Sequence, residues 1–98
     1  MNVFKTIIVK HPMGLQMRVA AELVQLVNQF KSDVIVWKEA LSVNGKSLIS
    51  LLSLAAGPGT QLKFVLEGED AEAALEAIHH YLETGAKVEK SSSLKPKP

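Results

Sequence analysis

Cysteine is absent from the 98 residues of this chain, which excludes both a disulfide framework and a thiolate metal site. Aromatic residues make up only 5%, so a hydrophobic core must be built mainly from Val, Leu, Ile and Ala. An excess of one charge is also lacking, because eleven basic and ten acidic residues leave a net charge of +1. This balance provides no general attraction to nucleic acid or to an anionic membrane surface, and neither is expected as a partner.

Long uninterrupted apolar runs are absent as well. Lys5 and Thr6 interrupt the apolar residues near the N-terminus, where a signal peptide would carry a continuous apolar segment. No stretch approaches the roughly 20 apolar residues that a membrane-spanning helix requires. We therefore expect a cytoplasmic protein whose length suits a single hydrophobic core.

The residues that are present form a regular succession of apolar patterns. Strands are predicted at residues 3–9, 33–39, 41–43 and 61–67, and helices at residues 16–30, at residues 47–56 and from residue 71 onwards. Asp70 is placed to cap the last helix, and Gly85 is placed to end it. The order β-α-β-β-α-β-α, with one apolar sheet face, predicts an α+β fold in which helices cover one side of the sheet.

The chain divides into one predicted domain and a tail. The domain is expected to cover residues 1–86. Residues 87–98 read KVEKSSSLKPKP and contain one Leu, three Ser, two Pro and four Lys. This composition cannot bury enough apolar surface to fold, so it predicts a flexible C-terminal tail.

The sequence GLQMRVAA at residues 14–21 marks the start of the first predicted helix. Gln16 and Met17 fall at its N-terminus, where free backbone N–H groups and the helix dipole favour an anion. Arg18 follows within the first turn, and its guanidinium is placed to fold back and clamp such an anion. The pattern suits a phosphate, but it contains no nucleophile.

The second predicted helix, SLISLLSLAA at residues 47–56, is unusually apolar. Ser47, Ser50 and Ser53 form one narrow polar line, and nearly all other positions are apolar. A small domain covers only part of such a helix, so some apolar side chains should remain exposed as a docking surface, unless the sheet and loops bury them all. The candidates for this surface are Leu48, Ile49, Leu51 and Leu52.

Two motifs in this order resemble those of the HPr phosphocarrier family of the bacterial sugar phosphotransferase system. Residues 14–20 are similar to the family sequence Gly-aliphatic-His-x-Arg-Pro-Ala, and residues 44–47, NGKS, are similar to its regulatory motif. The second motif precedes an apolar helix that ends in Ser53 and Leu54, as in the family. The resemblance covers residues 3–84. It implies a non-enzymatic protein with an HPr-like two-layer open-faced sandwich: a four-stranded antiparallel sheet with three helices on one face.

Gln16 stands where the family has its phosphoaccepting His. An imidazole nitrogen offers a lone pair near neutral pH, whereas the amide nitrogen of Gln is delocalised into its carbonyl and is a very poor nucleophile. Val19 also replaces the family's Pro. The Gln makes the chain similar to the Crh-like members, which do not carry phosphohistidine. For this chain the resemblance implies a disabled anion site comprising Gln16, Met17 and Arg18.

In Crh-like members, HPr kinase/phosphorylase modifies the Ser of the second motif, and the phosphoserine form binds the repressor CcpA in carbon catabolite repression. The resemblance therefore implies phosphorylation of Ser47, which is also the expected N-cap of its helix. A kinase and a CcpA-like regulator are the implied partners. The implied partner-binding residues are Lys46, Ser47, Leu48, Ile49, Leu51 and Leu52.

Two other functions remain open from the sequence. One is a working phosphocarrier in which His11 accepts the phosphoryl group from enzyme I and passes it to sugar-specific components. The other is a structural adaptor that docks through its apolar helix without phosphorylation. No cofactor is expected, and adjacent His79 and His80 point about 100° apart on a helix, so no metal site is expected. The apolar helix is compatible with a monomer or a weak homodimer.

Overall fold

The computed structural model describes residues 2–84 and confirms the predicted order of elements. The predicted tail at 87–98, the helix stop at Gly85 and both ends of the predicted domain 1–86 lie outside the described residues. The elements are β1 (Asn2–Ile8), α1 (Met17–Val27), β2 (Asp33–Lys38), β3 (Leu41–Asn44), α2 (Leu48–Ser53), β4 (Gln61–Glu67) and α3 (Ala71–Thr84).

The four strands form one antiparallel sheet in the order β1-β4-β2-β3. In the central strand β4, Leu62, Phe64 and Leu66 are fully buried, and the alternate residues face the other side. The same alternation in β2 buries Val34 and Val36. The sheet therefore has one core face and one open face, as the sequence predicts.

The three helices cover the core face. α1 packs against α2 and α3, and α3 also lies on β1 and β4. Buried residues recur at helical spacing on each long helix, because one stripe faces the sheet while the other meets water. Those of α1 are Val19, Ala20, Leu23, Leu26 and Val27, and those of α3 are Ala71, Ala74, Ala77, Ile78, Tyr81 and Leu82.

The observed helices α1 and α2 are both shorter than the apolar patterns that predicted them. α2 ends at Ser53, because Ala55 takes a positive φ of 52°, which an α-helix cannot continue. The Lys38 Nζ ammonium closes this end by donating a hydrogen bond to the Leu54 carbonyl at 2.8 Å. α1 ends at Val27, yet Phe30, three residues later, remains buried. In both cases the apolar sequence pattern continues past the end of the helix, because the residues that follow are buried without being helical.

The Asp70 carboxylate ties the start of α3 to the loop that precedes β2. It accepts hydrogen bonds from the backbone N–H groups of Lys31 and Ser32 and from the Ser32 hydroxyl. Charge-assisted hydrogen bonds of this kind fix a loop more firmly than neutral ones. In the described part of the chain, no helix is both long enough and apolar enough to cross a bilayer.

Candidate functional site

The loop before α1 is docked on the loop after α2. Gly14 has a positive φ of 69° and donates its N–H to the His11 carbonyl at 2.9 Å, and Leu15 donates to the Ala56 carbonyl at 2.7 Å. A Cβ on Gly14 would lie only 2.7 Å from the Ala56 oxygen and 2.8 Å from the Gly57 Cα. Glycine is required here by both conformation and space, and it lets the first motif dock on the loop that follows α2.

Gln16 occupies the N-cap position of α1 with extended backbone angles, φ −85° and ψ −178°. Its carbonyl accepts the hydrogen bond from Ala20 N at 2.8 Å, which begins the helix, but its side chain makes no capping hydrogen bond. Met17, the next residue, is 59% exposed. The helix start has the geometry that suits an anion, while its amide side chain supplies no nucleophile.

Arg18 lies in the first turn of α1, but its side chain pairs with Glu22, which is one turn further along the helix. Its Nε is 3.7 Å from Glu22 Oε2, and its side chain is 78% exposed. The expected fold of the guanidinium back over the helix start is therefore not the arrangement observed. An exposed pair of this length contributes little stability, so Arg18 can turn toward a ligand at small cost.

Glu22 connects Arg18 to the core. Its Oε1 accepts a hydrogen bond from the Tyr81 hydroxyl at 2.7 Å, and that hydroxyl also lies 3.4 Å from the Val19 carbonyl oxygen. Burial, and then the hydrogen bond to Glu22, raise the pKa of Tyr81 well above its usual range. Sequence reasoning missed this contact, because no local signal links residues on two different helices.

His11 is half-buried in the loop that precedes α1. Its Nδ1 accepts a hydrogen bond from Met13 N at 3.1 Å, which uses the lone pair on that ring nitrogen. The ring borders a cavity of about 150 Å³ that Tyr81 and Glu83 also line. The Lys10 Nζ, 3.0 Å from Glu83 Oε1, donates the hydrogen bond that lowers the pKa of Glu83 below its usual range.

Ser47 is the N-cap of α2. Its Oγ accepts a hydrogen bond from Ser50 N at 3.3 Å, and its own N–H donates to the Asn44 carbonyl at 3.2 Å. The Asn44 side-chain oxygen accepts from Lys46 N at 2.8 Å, so the NGKS motif folds as a tight turn into the helix. The hydroxyl is half-buried, and it keeps the capping role expected from the sequence.

Lys46 reaches back across the fold. Its Nζ donates a hydrogen bond to the Phe30 carbonyl at 2.8 Å, beyond the end of α1. This contact places the ammonium group beyond the end of α1 and joins the second motif to the segment that follows the first helix. The sequence indicated Lys46 as a partner contact and gave no sign of this internal hydrogen bond.

The apolar residues of α2 divide between the core and the surface. Ile49 is 74% exposed, and Leu48 and Leu52 are half-buried. Leu51, which was expected among the partner-binding residues, is fully buried and faces the core. It is corrected here to a core residue, because positions 49 and 51 lie about 200° apart on a helix and only one of them can face out.

No metal site is formed by the described part of the chain, where no group of three His, Asp or Glu side chains lies close enough to hold an ion. The chemistry of the candidate site rests on the amide of Gln16, the guanidinium of Arg18 and the hydroxyl of Ser47.

Comparisons with a family model and with known proteins point to the same family. The model described as "PTS HPr component phosphorylation site" matches residues 3–84. The HPr-like protein Crh of Halalkalibacterium halodurans is 41% identical over 79 residues, which are 81% of this chain and 94% of that relative. The HPr-like protein Crh of Bacillus subtilis (strain 168) is 44% identical over 70 residues, 71% of this chain and 82% of the relative.

A solved structure agrees with these matches. The phosphocarrier protein HPr from Bacillus anthracis str. Ames superposes with a TM-score of 0.79 at 42% identity. The superposition covers 82% of this chain and 95% of that one. The fold that the sequence resemblance implies, an open-faced sandwich with a four-stranded antiparallel sheet, is thereby confirmed.

Proposed function

Because this chain belongs to the HPr family of the phosphotransferase system, we propose that it is a cytoplasmic regulatory binding protein that carries no phosphohistidine and signals through phosphorylation of Ser47. Proteins of the family are phosphocarriers or regulators and not enzymes. The relatives named Crh share 41% and 44% of their aligned residues with the chain. Carbon catabolite regulation is the process in which we place it.

The observation that carries the proposal is the intact helix start with an amide at Gln16. The turn at Gly14, the helix start at Gln16 and the neighbouring Arg18 are all present. A scaffold that retains these features while lacking the nucleophile can still dock partner proteins, but it cannot accept a phosphoryl group at residue 16.

Ser47 is the acceptor that the surrounding structure favours. A phosphate on its Oγ would sit at the start of α2, where backbone N–H groups and the helix dipole stabilise negative charge. Lys46 lies beside it, and exposed Ile49 lies within the first turn. Phosphorylation would thus add about −2 charge to an apolar surface while leaving the fold in place.

The partners that fit this surface are HPr kinase/phosphorylase for the modification and a CcpA-like transcription regulator for the phosphorylated form. An exposed apolar side chain next to a new anion can be matched by an Arg-rich pocket with an apolar rim. The proposed contact residues are Gln16, Met17, Arg18, Lys46, Ser47, Leu48, Ile49 and Leu52.

The test is the intact mass of the protein after two separate incubations. With HPr kinase and ATP, we expect one phosphoryl adduct, which is lost in Ser47→Ala and retained in Ser53→Ala, an exposed serine of the same helix. With enzyme I and phosphoenolpyruvate, we expect no adduct. An adduct in the second mixture, or none in the first, contradicts the proposal.

The same experiment decides the two alternatives. A phosphocarrier that uses His11 would gain an enzyme I-dependent adduct that is lost in His11→Ala. The hydrogen bond from Met13 N to the His11 Nδ1 weighs against this, because the accepting lone pair is already engaged. A phosphorylation-independent adaptor would bind its partner equally well as wild type and as Ser47→Ala.

A further inference from the structure

The open face of the sheet, which lies opposite the helices, carries a row of apolar side chains across three strands. Phe4 on β1 pairs with Val65 on β4, and Val65 pairs with Ile35 on β2. Phe4 is 68% exposed and Ile35 is 38% exposed. Trp37, two residues after Ile35 on β2 and on the same face, is 39% exposed. We call this surface the open face.

Acidic residues flank the apolar row on one side. Asp33 and Glu67 are direct cross-strand partners on the open face, so two like charges stand opposite one another. Such a pair destabilises a sheet by itself. Within residues 2–84, neither carboxylate has an ion-pair partner. The pair is thus an electrostatic cost that the described fold does not offset.

A basic residue flanks the row on the other side. Lys63 precedes Val65 by two positions on β4, as Glu67 follows it by two, and all three share the open face. The Lys63 Nζ lies 4.9 Å from the centre of the Phe4 ring. Among the described residues it has no carboxylate within salt-bridge distance. Lys63 and Glu67 therefore lie two residues to either side of Val65, the centre of the apolar row.

We propose that the open face binds a second copy of this chain. The two-fold axis lies midway between the two facing sheets, passes over Val65 of β4, and runs parallel to the sheets and perpendicular to the strands. Such an axis reverses position along each strand and keeps each strand over its own counterpart. Lys63 of each copy then faces Glu67 of the other. Trp37 faces Asp33 of the second copy, and the apolar row stacks on itself at the usual sheet spacing of about 10 Å.

The charge pattern selects this occupant over others. A basic peptide would match Asp33 and Glu67 but would be repelled by Lys63 on the other side of the apolar row. Nucleic acid would be repelled by the two carboxylates. A second copy rotated about Val65 places Lys63 of each copy against Glu67 of the other, so these two charges are self-complementary.

The interface is small, so the association is expected to be weak. Four strands about 4.8 Å apart and about 20 Å long cover roughly 400 Å² on each copy. A stable interface buries about 800 Å² on each partner. Dimers should therefore form toward the millimolar range and be absent at low micromolar concentration. This inference is independent of the function proposed for Ser47, which lies in the helical layer.

Charge reversal tests the proposal. In sedimentation equilibrium at low salt, Lys63→Glu and Glu67→Lys should each weaken self-association at least about tenfold, since each places like charges in contact twice. The matched control is Lys5→Glu, an equal charge change on β1 opposite Phe64, on the helix-facing side of the sheet. It should leave self-association unchanged. Far-UV circular dichroism confirms that each variant is folded.

The decisive arm mixes the two reversed variants. A Lys63→Glu chain and a Glu67→Lys chain complement each other at both contacts, so their mixture should dimerise at least as well as the wild type. Dimers that persist in both single variants, as a strand exchange or a contact through α2 would give, overturn the proposal. So does a wild type that stays monomeric at millimolar concentration, or a mixture that does not associate.

Discussion

At the residue scale, the N-cap positions of α1 and α2 carry an amide and a hydroxyl with different chemical capacities. Gln16 makes no capping hydrogen bond, whereas Ser47 accepts one from Ser50 N. An amide nitrogen has no available lone pair for phosphoryl transfer, while a serine hydroxyl becomes a nucleophile when a kinase supplies a base. The reactive position of the chain is therefore expected at the second helix.

Replacing Gln16 with His tests whether the remaining site is still competent. The imidazole would stand at the helix start that follows the Gly14 turn, two residues before Arg18. We expect Gln16→His to gain a phosphoryl adduct from enzyme I and phosphoenolpyruvate, measured by intact mass, with Gln16→Ala as the inert control. Complete inertness of the variant would show that Val19 or the preceding loop has also disabled the site.

At the element scale, a few polar contacts between helices and loops hold the candidate site in place. The Tyr81 hydroxyl links α3 to Glu22 of α1, Lys46 links the start of α2 to Phe30, and Leu15 links the loop before α1 to Ala56. Each contact joins segments that are far apart in sequence. The geometry around Gln16 and Ser47 therefore depends on elements that carry neither residue.

The substitution Tyr81→Phe measures one of these links. Loss of the hydrogen bond to the Glu22 carboxylate should lower the free energy of unfolding by about 1 to 2 kcal/mol near neutral pH, measured by urea denaturation. Phe fills the same space, so packing is preserved. A change close to zero would show that water replaces the hydroxyl at Glu22 without cost.

The difference in unfolding free energy between the wild type and Tyr81→Phe should also depend on pH. Burial and the Glu22 hydrogen bond raise the pKa of Tyr81 in the folded state, so folding favours the protonated phenol. This stabilisation is fully present below the unfolded pKa of about 10 and is lost as pH rises above it. The stability difference between wild type and Tyr81→Phe should narrow above about pH 10. A difference that widens there contradicts the assignment.

The substitution Gly14→Ala tests the docking of the two loops. It adds the strain of a positive φ and a collision with the Ala56 carbonyl, and we expect a loss of about 3 kcal/mol in the free energy of unfolding. The control is Gly59→Ala, where φ is +86° but a Cβ has open space. Its expected loss is about 1 kcal/mol from backbone strain alone. Equal losses of unfolding free energy in the two variants would show that the contact of Gly14 with Ala56 leaves room for a Cβ.

The sequence predicts elements well where the pattern has a clear period. The alternation of Leu62, Phe64 and Leu66 with polar residues locates β4 at its observed bounds. The apolar run of α2 has no clear period, so its length was overestimated and its inward residue could not be identified. Ile49 and Leu51 are both aliphatic, and only the packing of α2 on its neighbours shows that Leu51 is the buried one.

Long polar side chains were the features that sequence reasoning could not place. Lys38 and Lys46 both donate to backbone carbonyls sixteen residues away. Arg18 was expected at the anion site and instead lies beside Glu22. Such side chains have several extended rotamers, and tertiary contacts select among them. Motif position alone predicted that Gln16 and Ser47 lie at helix starts, and both are N-cap residues in the structure.

At the scale of the whole molecule, the fold separates two surfaces with different chemistry. The helical layer presents Gln16, Met17, Ser47 and Ile49, which form the proposed regulatory surface. The opposite side is the open face of the sheet, which carries the proposed self-association. Since the sheet lies between them, a chain that dimerises through the open face still presents its regulatory surface to a partner.

The central claim, that phosphorylation of Ser47 controls partner binding, is tested most directly by calorimetric titration of a CcpA-like regulator with phosphorylated and unmodified protein. Ser47→Ala that has been incubated with the kinase serves as the control. We predict that the phosphorylated form binds at least about tenfold more tightly, because the new anion adds charge-assisted hydrogen bonds to the contact around Ile49. Equal affinities of the phosphorylated and unmodified forms would contradict the account.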